Sequence, residues 1–230
     1  GLILMIHGLG GSSRRLGLRR MALNFQSLGF ATLRLNLRGA DPGRHLSAGT
    51  YSAKCNSDIE QVFHIAKEIC QNLSKDNNYK YQDIPLFGVG ISLGGTILIN
   101  ACLSQSISEK LERPLFKGLA CTSSPLDLTE CSKEIERPRN YIYQKWLLKR
   151  LVKQTLADPF MVDTNELKIL SRPNDFIKSI RDFDNYITAP RWGFKDVKSY
   201  YKEASPLLKL LENPEKLPPT LFLQAKDDPW

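Results

Sequence analysis

The sequence predicts an α/β fold, a mostly parallel sheet with helices on both faces. Three observations carry this. Short apolar runs bounded by glycine or turn residues alternate with longer stretches of helical periodicity. The apolar runs do not alternate with polar residues, which fits strands covered on both faces. The order strand, helix, strand, helix, strand, helix, strand requires parallel pairing through right-handed crossovers.

The elements follow in order. LILMIH, residues 2–7, is a β-rich apolar run ended by glycines, and reads as the first strand. Leu18, Met21, Ala22, Phe25 and Leu28 then fall on one helical face, and Gly29 stands where a C-cap glycine belongs. FATLRLNL, 30–37, is the second strand, and the loop LRGADPGRHLSAGT is dense in turn residues. Ile59, Val62, Phe63, Ala66 and Ile69 make one helical stripe within 56–70. IPLFGVG (84–90) is a third strand, LGGTILINACL (93–103) a helix, LFKGLACTS (115–123) a fourth strand and PTLFLQA (219–225) a fifth. The segment from about 126 to about 192 is helical and charged without a strand pattern. It is expected to be an insertion capping the top of the sheet, within one domain spanning 1–230.

The chain has 230 residues and a formal net charge of +8, from 32 basic and 24 acidic side chains. Basic balance raises nucleic acid or an anionic membrane as partners. Arg14, Arg15, Arg19 and Arg20 cluster near the front, but no aromatic stacking pattern accompanies them, so a solvated helix face is expected rather than a nucleic-acid surface. No apolar run has the length of a membrane span, and the front carries no secretory signal. The chain opens at Gly1 without an initiator Met and reads as a piece of something longer. Cys55, Cys70, Cys102, Cys121 and Cys131 form no CxxC pair and no zinc spacing, which fits reduced thiols in a cytosolic-type, cytoplasmic compartment.

Gly90-Ile91-Ser92-Leu93-Gly94 is a G-x-S-x-G pattern between a predicted strand and a predicted helix. That is where a nucleophile elbow sits. The turn is sharp, and side chains two residues either side of the serine would collide with neighbouring backbone. Ser92 is therefore the candidate nucleophile, raised to the C-terminal edge of the sheet at a helix N-terminus. His7-Gly8-Leu9-Gly10-Gly11 follows the first strand. A loop at that position supplies one oxyanion-hole N–H and the residue after the serine supplies the other, which gives Leu9 and Leu93 through their backbones. A phosphate loop is the competing reading of these glycines, but the GxGxxG spacing and the P-loop lysine are missing. Two aspartates follow the last strand. An acid there orients a catalytic histidine, and Asp228 is the stronger candidate, with Asp227 in reserve. A solvated turn is the alternative reading of that pair.

With these elements in hand, the sequence resembles the α/β-hydrolase superfamily, and within it the YheT-like hydrolases and esterases. The resemblance runs along nearly the whole chain: HGLGGSS at the front, Leu37-Arg38-Gly39 after the second strand, Tyr51 and Asp58 before the next helix, GISLGG at the elbow, and AKDDP at the end. Its most specific stretch is RDFDNYITAPRWGFKDVKSYYKEAS, residues 181–205. The resemblance implies hydrolysis of carboxylic esters, lipid or acyl esters among them. It implies no metal or cofactor, and assigns Ser92 as nucleophile and Asp228 as acid. Fold membership does not itself fix chemistry.

The histidine is the gap. His7, His45 and His64 all precede Ser92, whereas this fold orders its triad Ser, Asp, His. His7 belongs to the oxyanion turn, His64 to a helix, and His45 is the one in a loop free to serve as a substitute base. The family carries its histidine after one more strand, so the base is expected beyond Trp230, and a leading hairpin before residue 1. RNYIYQKWLLKRLVKQTL, 139–156, adds a basic amphipathic helix. Arg139, Lys145, Lys149, Arg150 and Lys153 supply charge, and Tyr141, Trp146, Leu147, Leu151 and Val152 supply apolar surface. A core-facing stripe with a solvated charged face is the plain reading. Peripheral contact with an anionic membrane, or a lid over an acyl pocket, are the functional ones. A non-catalytic ligand-binding protein on the same fold remains the alternative to a serine esterase.

Overall fold

The computed structural model describes residues 1–76, 84–110, 115–160 and 162–228. Five parallel strands, β1 (Leu2–Ile6), β2 (Ala31–Leu35), β3 (Leu86–Ile91), β4 (Gly118–Thr122) and β5 (Thr220–Leu223), form one sheet in the order β2-β1-β3-β4-β5. Each expected strand is present; four are trimmed, and β3 begins two residues later and ends one residue later than read.

Strand β1 explains the unbroken apolar pattern. Leu2, Leu4 and Ile6 enter one core with Ile59, Phe63 and Ile97, while Ile3 and Met5 enter another with Leu18 and Ala22. The first core is built by α2 (Asn56–Asp76) and α3 (Leu93–Leu103), the second by α1 (Leu16–Ser27). With no face left to water, the strand has no reason to alternate. Helix α3 is buried along its whole length, so its sequence is apolar all round. Double-sided cover fails at β5, an edge strand whose Leu221, Phe222 and Leu223 are 54%, 44% and 49% exposed.

The expected stripe of α2 packs as read, with Ile59, Phe63 and Ala66 buried and Val62 and Ile69 packed against them. The stripe of α1 needs one correction. Leu28 is 71% exposed, because the helix ends at Ser27 and Leu28, at the C-cap, leaves the helical face. Gly29 then turns the chain at φ +84°.

A short helix α4 (Gln105–Lys110) follows α3, and between β4 and β5 the described residues form helices and turns only. Within this segment α5 (Leu128–Ile135), α6 (Tyr141–Leu156) and the turns at 173–191 build a core of their own from Ile135, Leu147, Leu151, Ile180, Phe183 and Ile187. Leu9 packs against both this core and the sheet core. Charged groups strap the two together. Asp158 pairs with buried Arg44, accepts from the Gly49 N–H at 2.8 Å, and lies 4.0 Å from Arg191. Arg191 in turn holds Glu166 with two bonds of 2.7 and 2.6 Å.

The strand order reverses at β1, with β2 on one side and β3 on the other. Ligand crevices of open α/β sheets form at such a switch point, outside the carboxyl ends of the strands. The chain there is packed backbone to backbone. A Cβ on Gly94 would overlap the Ile6 carbonyl oxygen, and one on Gly90 would overlap the backbone of Gly95. Replacing Gly94 with alanine should therefore destabilise the protein by about 3 kcal/mol, from overpacking against unyielding backbone. Gly17→Ala in α1, where a Cβ meets nothing within 4 Å, should instead stabilise by about 0.5–1 kcal/mol. Urea unfolding of the two variants beside the parent checks both signs.

Candidate active site

Ser92 joins β3 to α3 with φ 53° and ψ −128°, one of two non-glycine residues at positive φ among the described residues. Such geometry costs about 1–3 kcal/mol and persists only where its surroundings enforce it. Here the Ser92 N–H is held by the Thr122 carbonyl at 2.7 Å and its own carbonyl accepts from Gly95 N–H at 2.9 Å. Gly8 closes the other side: a Cβ on it would stand 2.8 Å from Ser92 Cβ and 3.3 Å from Oγ. The glycines at 8, 90 and 94 thus clear the space that lets the serine stand where strands β1 and β3 end.

The loop after β1 is held from three directions. Gly10 N–H donates to Tyr51 Oη at 2.7 Å, and Gly11 N–H donates to the Gly8 carbonyl at 3.0 Å. From the cap side, the Arg150 guanidinium grips the Gly10 carbonyl with bonds of 3.0 and 2.5 Å. The sequence reading placed Arg150 on a solvated face; the structure turns it inward, with Trp146 over it at 5.0 Å. Among the described residues, the N–H groups of Leu9 and Leu93 donate to no protein acceptor. Leu9, Ser92 and Leu93 line one enclosed cleft, with Leu128, Leu151, Ile180 and Phe183 as its apolar wall.

None of the three histidines lines that cleft. His7 is buried, its Nδ1 bonded to the Gly8 carbonyl at 2.8 Å and its Nε2 accepting from Leu37 N–H at 3.3 Å. Both nitrogens are thus engaged in holding the loop, and burial lowers its pKa. His64 is exposed on α2. His45, the substitute base considered from sequence, is exposed and faces a separate hollow beside Arg38 and Asp58. It is not brought to Ser92.

Asp228 lies in the turn after β5, half-buried, with its N–H donating to Ala225 O at 3.3 Å; Asp227 is exposed. Pro229 and Trp230 lie outside the described residues. Because all strands are parallel, Ser92 and Asp228 stand at the same sheet edge, two strand spacings or roughly 10 Å apart laterally. Cys131, which lines the Ser92 cleft, feels the Asp228 charge; burial first and acidic neighbours second push its thiol up to about 11. A thiol so placed stays protonated and is no competitor to the serine. None of the five cysteines, all of them described, is in a disulfide.

Several residues at the site escaped the sequence reading. Tyr51 was quoted only as a spacing, yet it orients the loop after β1. Tyr200 Oη accepts from Ala53 N–H at 2.9 Å and Tyr201 donates to Asp184 at 2.8 Å. Asp184 opens a π-helical stretch, Asp184–Thr188, and lines the cleft. The available signal was an acid set in the apolar run FDNYIT, where Arg181, three residues earlier, is the one cation within a helical turn in the sequence and makes no ion pair with Asp184 among the described residues.

An open parallel sheet with this strand order, the strained serine at its switch point and a helical cap between β4 and β5 make an α/β-hydrolase fold. In sequence the chain is similar to hydrolases and esterases of the α/β-hydrolase superfamily. It is 27% identical over 228 residues to phospholipase ABHD3 of Mus musculus, covering 98% of this chain and 50% of that protein. The YheT protein of Escherichia coli is 33% identical over 148 residues, 64% of this chain and 40% of that one. Medium-chain fatty acid ethyl ester synthase/esterase 2 of Saccharomyces cerevisiae is 25% identical over 252 residues, covering 99% and 51%. The chain spans about half the length of the curated relatives it matches. No family model matches it.

Burial pushes the Asp184 carboxyl up to about 6, against the partial relief given by the Thr188 and Tyr201 hydroxyls. Its folded pKa exceeds the unfolded value, so the stability it contributes is full at pH 3–4 and is lost as pH rises through about 6. Asp184→Asn keeps an acceptor for Tyr201 without the charge. Relative to the parent it should gain about 2 kcal/mol between pH 4 and pH 8. Thermal or urea unfolding across that range reads the difference, and a pH-independent offset would contradict it.

Proposed function

We propose that this chain carries the nucleophile, oxyanion loop and acid of a serine hydrolase that cleaves carboxylic esters, lipid or acyl esters among them. The observation that carries the reading is Ser92, held at φ 53° against Gly8 and opening onto the cleft. Its hydroxyl attacks the ester carbonyl, and the N–H groups of Leu9 and Leu93 receive the developing oxyanion. The alcohol departs with a proton, leaving an acyl-serine that water then hydrolyses. No step so written needs a metal or cofactor.

The base that takes the serine proton is a histidine in sequence following Trp230, oriented by Asp228. Three findings support this. No histidine of the chain lines the cleft. Asp228 stands at the same sheet edge as Ser92, at a gap one imidazole and two side chains can bridge. The relatives are about twice as long as the chain. Half-buried Asp228 suits the role better than exposed Asp227. An ester substrate is supported by the apolar cleft wall and by relatives named as a phospholipase and an ethyl ester synthase/esterase. Cysteines without disulfides suit a cytosolic-type compartment.

A fluorophosphonate probe tests the nucleophile. The full-length gene product should label, and its Ser92→Ala form should not. The 1–230 chain alone should label at least about a thousandfold more slowly, the loss typical of a missing triad base. Equal labelling of the short chain would overturn the assignment of the base. No labelling of folded full-length protein would favour the non-catalytic binding reading.

We further propose that α6 lets the protein touch anionic membranes. The structure corrects the expected apolar face of this helix. Leu147 and Leu151 point inward, but Tyr141 and Trp146 point outward, with Ile142 83% and Trp146 51% exposed. Lys145, Lys149 and Lys153 are exposed on the same helix, which has no acidic residue. No helix among the described residues is long and apolar enough to cross a membrane, so this would be surface contact. Co-sedimentation with phosphatidylserine-containing vesicles should fall about tenfold in the double variant Lys145→Glu, Lys149→Glu. Vesicles of phosphatidylcholine alone should bind parent and variant alike.

A further inference from the structure

Asp184 is the only formally charged side chain among the described residues lining the Ser92 cleft. Tyr201 donates to its Oδ2 at 2.8 Å, and the Thr188 hydroxyl is close enough to favour its charged form. A carboxylate has about four acceptor positions, so these two hydroxyls leave part of this one's capacity unspent. Among the described residues no Lys, Arg or His forms an ion pair with it, although Asp158 and Glu166 nearby in the cap each have an arginine. The side chain is walled in by protein yet retains surface toward the cleft. Tyr51, Phe183, Tyr200 and Tyr201 line the same cleft around it.

A structural carboxylate in such a place would be expected to have a cation, because buried charge is tolerated when paired. One that lacks a cation and lines a cleft shared with aromatic side chains is arranged for a partner that arrives with the ligand. We propose that Asp184 is a substrate-recognition residue, which binds a hydroxyl-bearing or positively charged group on the non-reacting part of the ester. The idea rests on the cleft being an ester site. A hydroxyl would donate to the free carboxylate oxygen. A quaternary ammonium would sit against the carboxylate and the tyrosine rings. Either contact is made away from the scissile carbonyl, so it orients the ester without joining the chemistry.

The test uses the full-length gene product in its Ser92→Ala form, which binds esters without turning them over. Calorimetric titration compares three octanoate esters, those of ethanol, ethylene glycol and choline, on this protein with and without Asp184→Asn. The inference expects the hydroxyl or the choline ester to bind about tenfold tighter than the ethyl ester, with the preference falling to about one in Asp184→Asn if the group is cationic, and at least halved if it is a hydroxyl. Which ester is preferred identifies the group. Equal binding of all three, or a preference that survives Asp184→Asn unchanged, overturns the inference. Turnover of the same esters by protein retaining Ser92 is read separately. Selective binding without turnover would leave the Asp184 assignment standing and remove the hydrolase reading. Circular dichroism and a cooperative thermal transition of Asp184→Asn beside the parent separate lost selectivity from loss of folding.

Discussion

The whole functional edge of the sheet depends on one close approach, the first turn of α3 laid against the last carbonyl of β1. No side chain fits between Gly94 and Ile6, nor between Gly90 and Gly95, nor between Gly8 and Ser92. Glycine at these positions lets three backbone segments meet where the sheet changes direction. Their meeting in turn enforces a serine conformation that an isolated chain would abandon. The strain is therefore not a local accident of residue 92. It is sustained by the parallel pairing of β1 with β3, and by the hydrophobic cores on both faces that keep those strands in register.

Around this backbone junction the protein spends its buried hydroxyls and charges on positioning. Tyr51 and Tyr200 accept from loop N–H groups, and His7 accepts from one and donates to a carbonyl. Asn100 of α3 reaches the carbonyls of Ala53 and Ala204 at 2.9 and 2.8 Å. These bonds tie segments far apart in sequence to the central helix, and each satisfies a backbone group that burial would otherwise leave unpaired. The side chains most specific to the resemblance, in residues 181–205, thus read as scaffolding for the cleft, with Asp184 as the exception.

Much of this was legible in the sequence. The sharp turn at Ser92 between β3 and α3 could be read because its requirement is local: two glycines flanking a serine between an apolar run and a helix. The strand order was implied by the alternation of elements, which permits few topologies. Long-range contacts were not legible. Nothing local to Arg150 says that it reaches 140 residues back to the Gly10 carbonyl, and helical periodicity alone placed it among solvated charges. The outward turn of Trp146 was hidden for the same reason, since α6 has apolar residues on more than one face. Leu28 was misplaced because periodicity continues past a helix end that only backbone geometry fixes. Asp184 sat in plain view, but a carboxylate without its cation is visible only when its surroundings are known.

The grip of Arg150 on the loop after β1 has a further consequence. The cap and the loop after β1 are joined by charge-assisted bonds, so the two share one free-energy balance. Anything that draws the cap away, by pulling α6 or by inserting between it and the sheet, loosens the Gly10 carbonyl and with it the peptide that orients the Leu9 N–H. By reciprocity, occupancy of that N–H by an anionic oxygen holds the cap down. A reaction intermediate at Ser92 would in this way fasten the lid above itself, and its departure would release it.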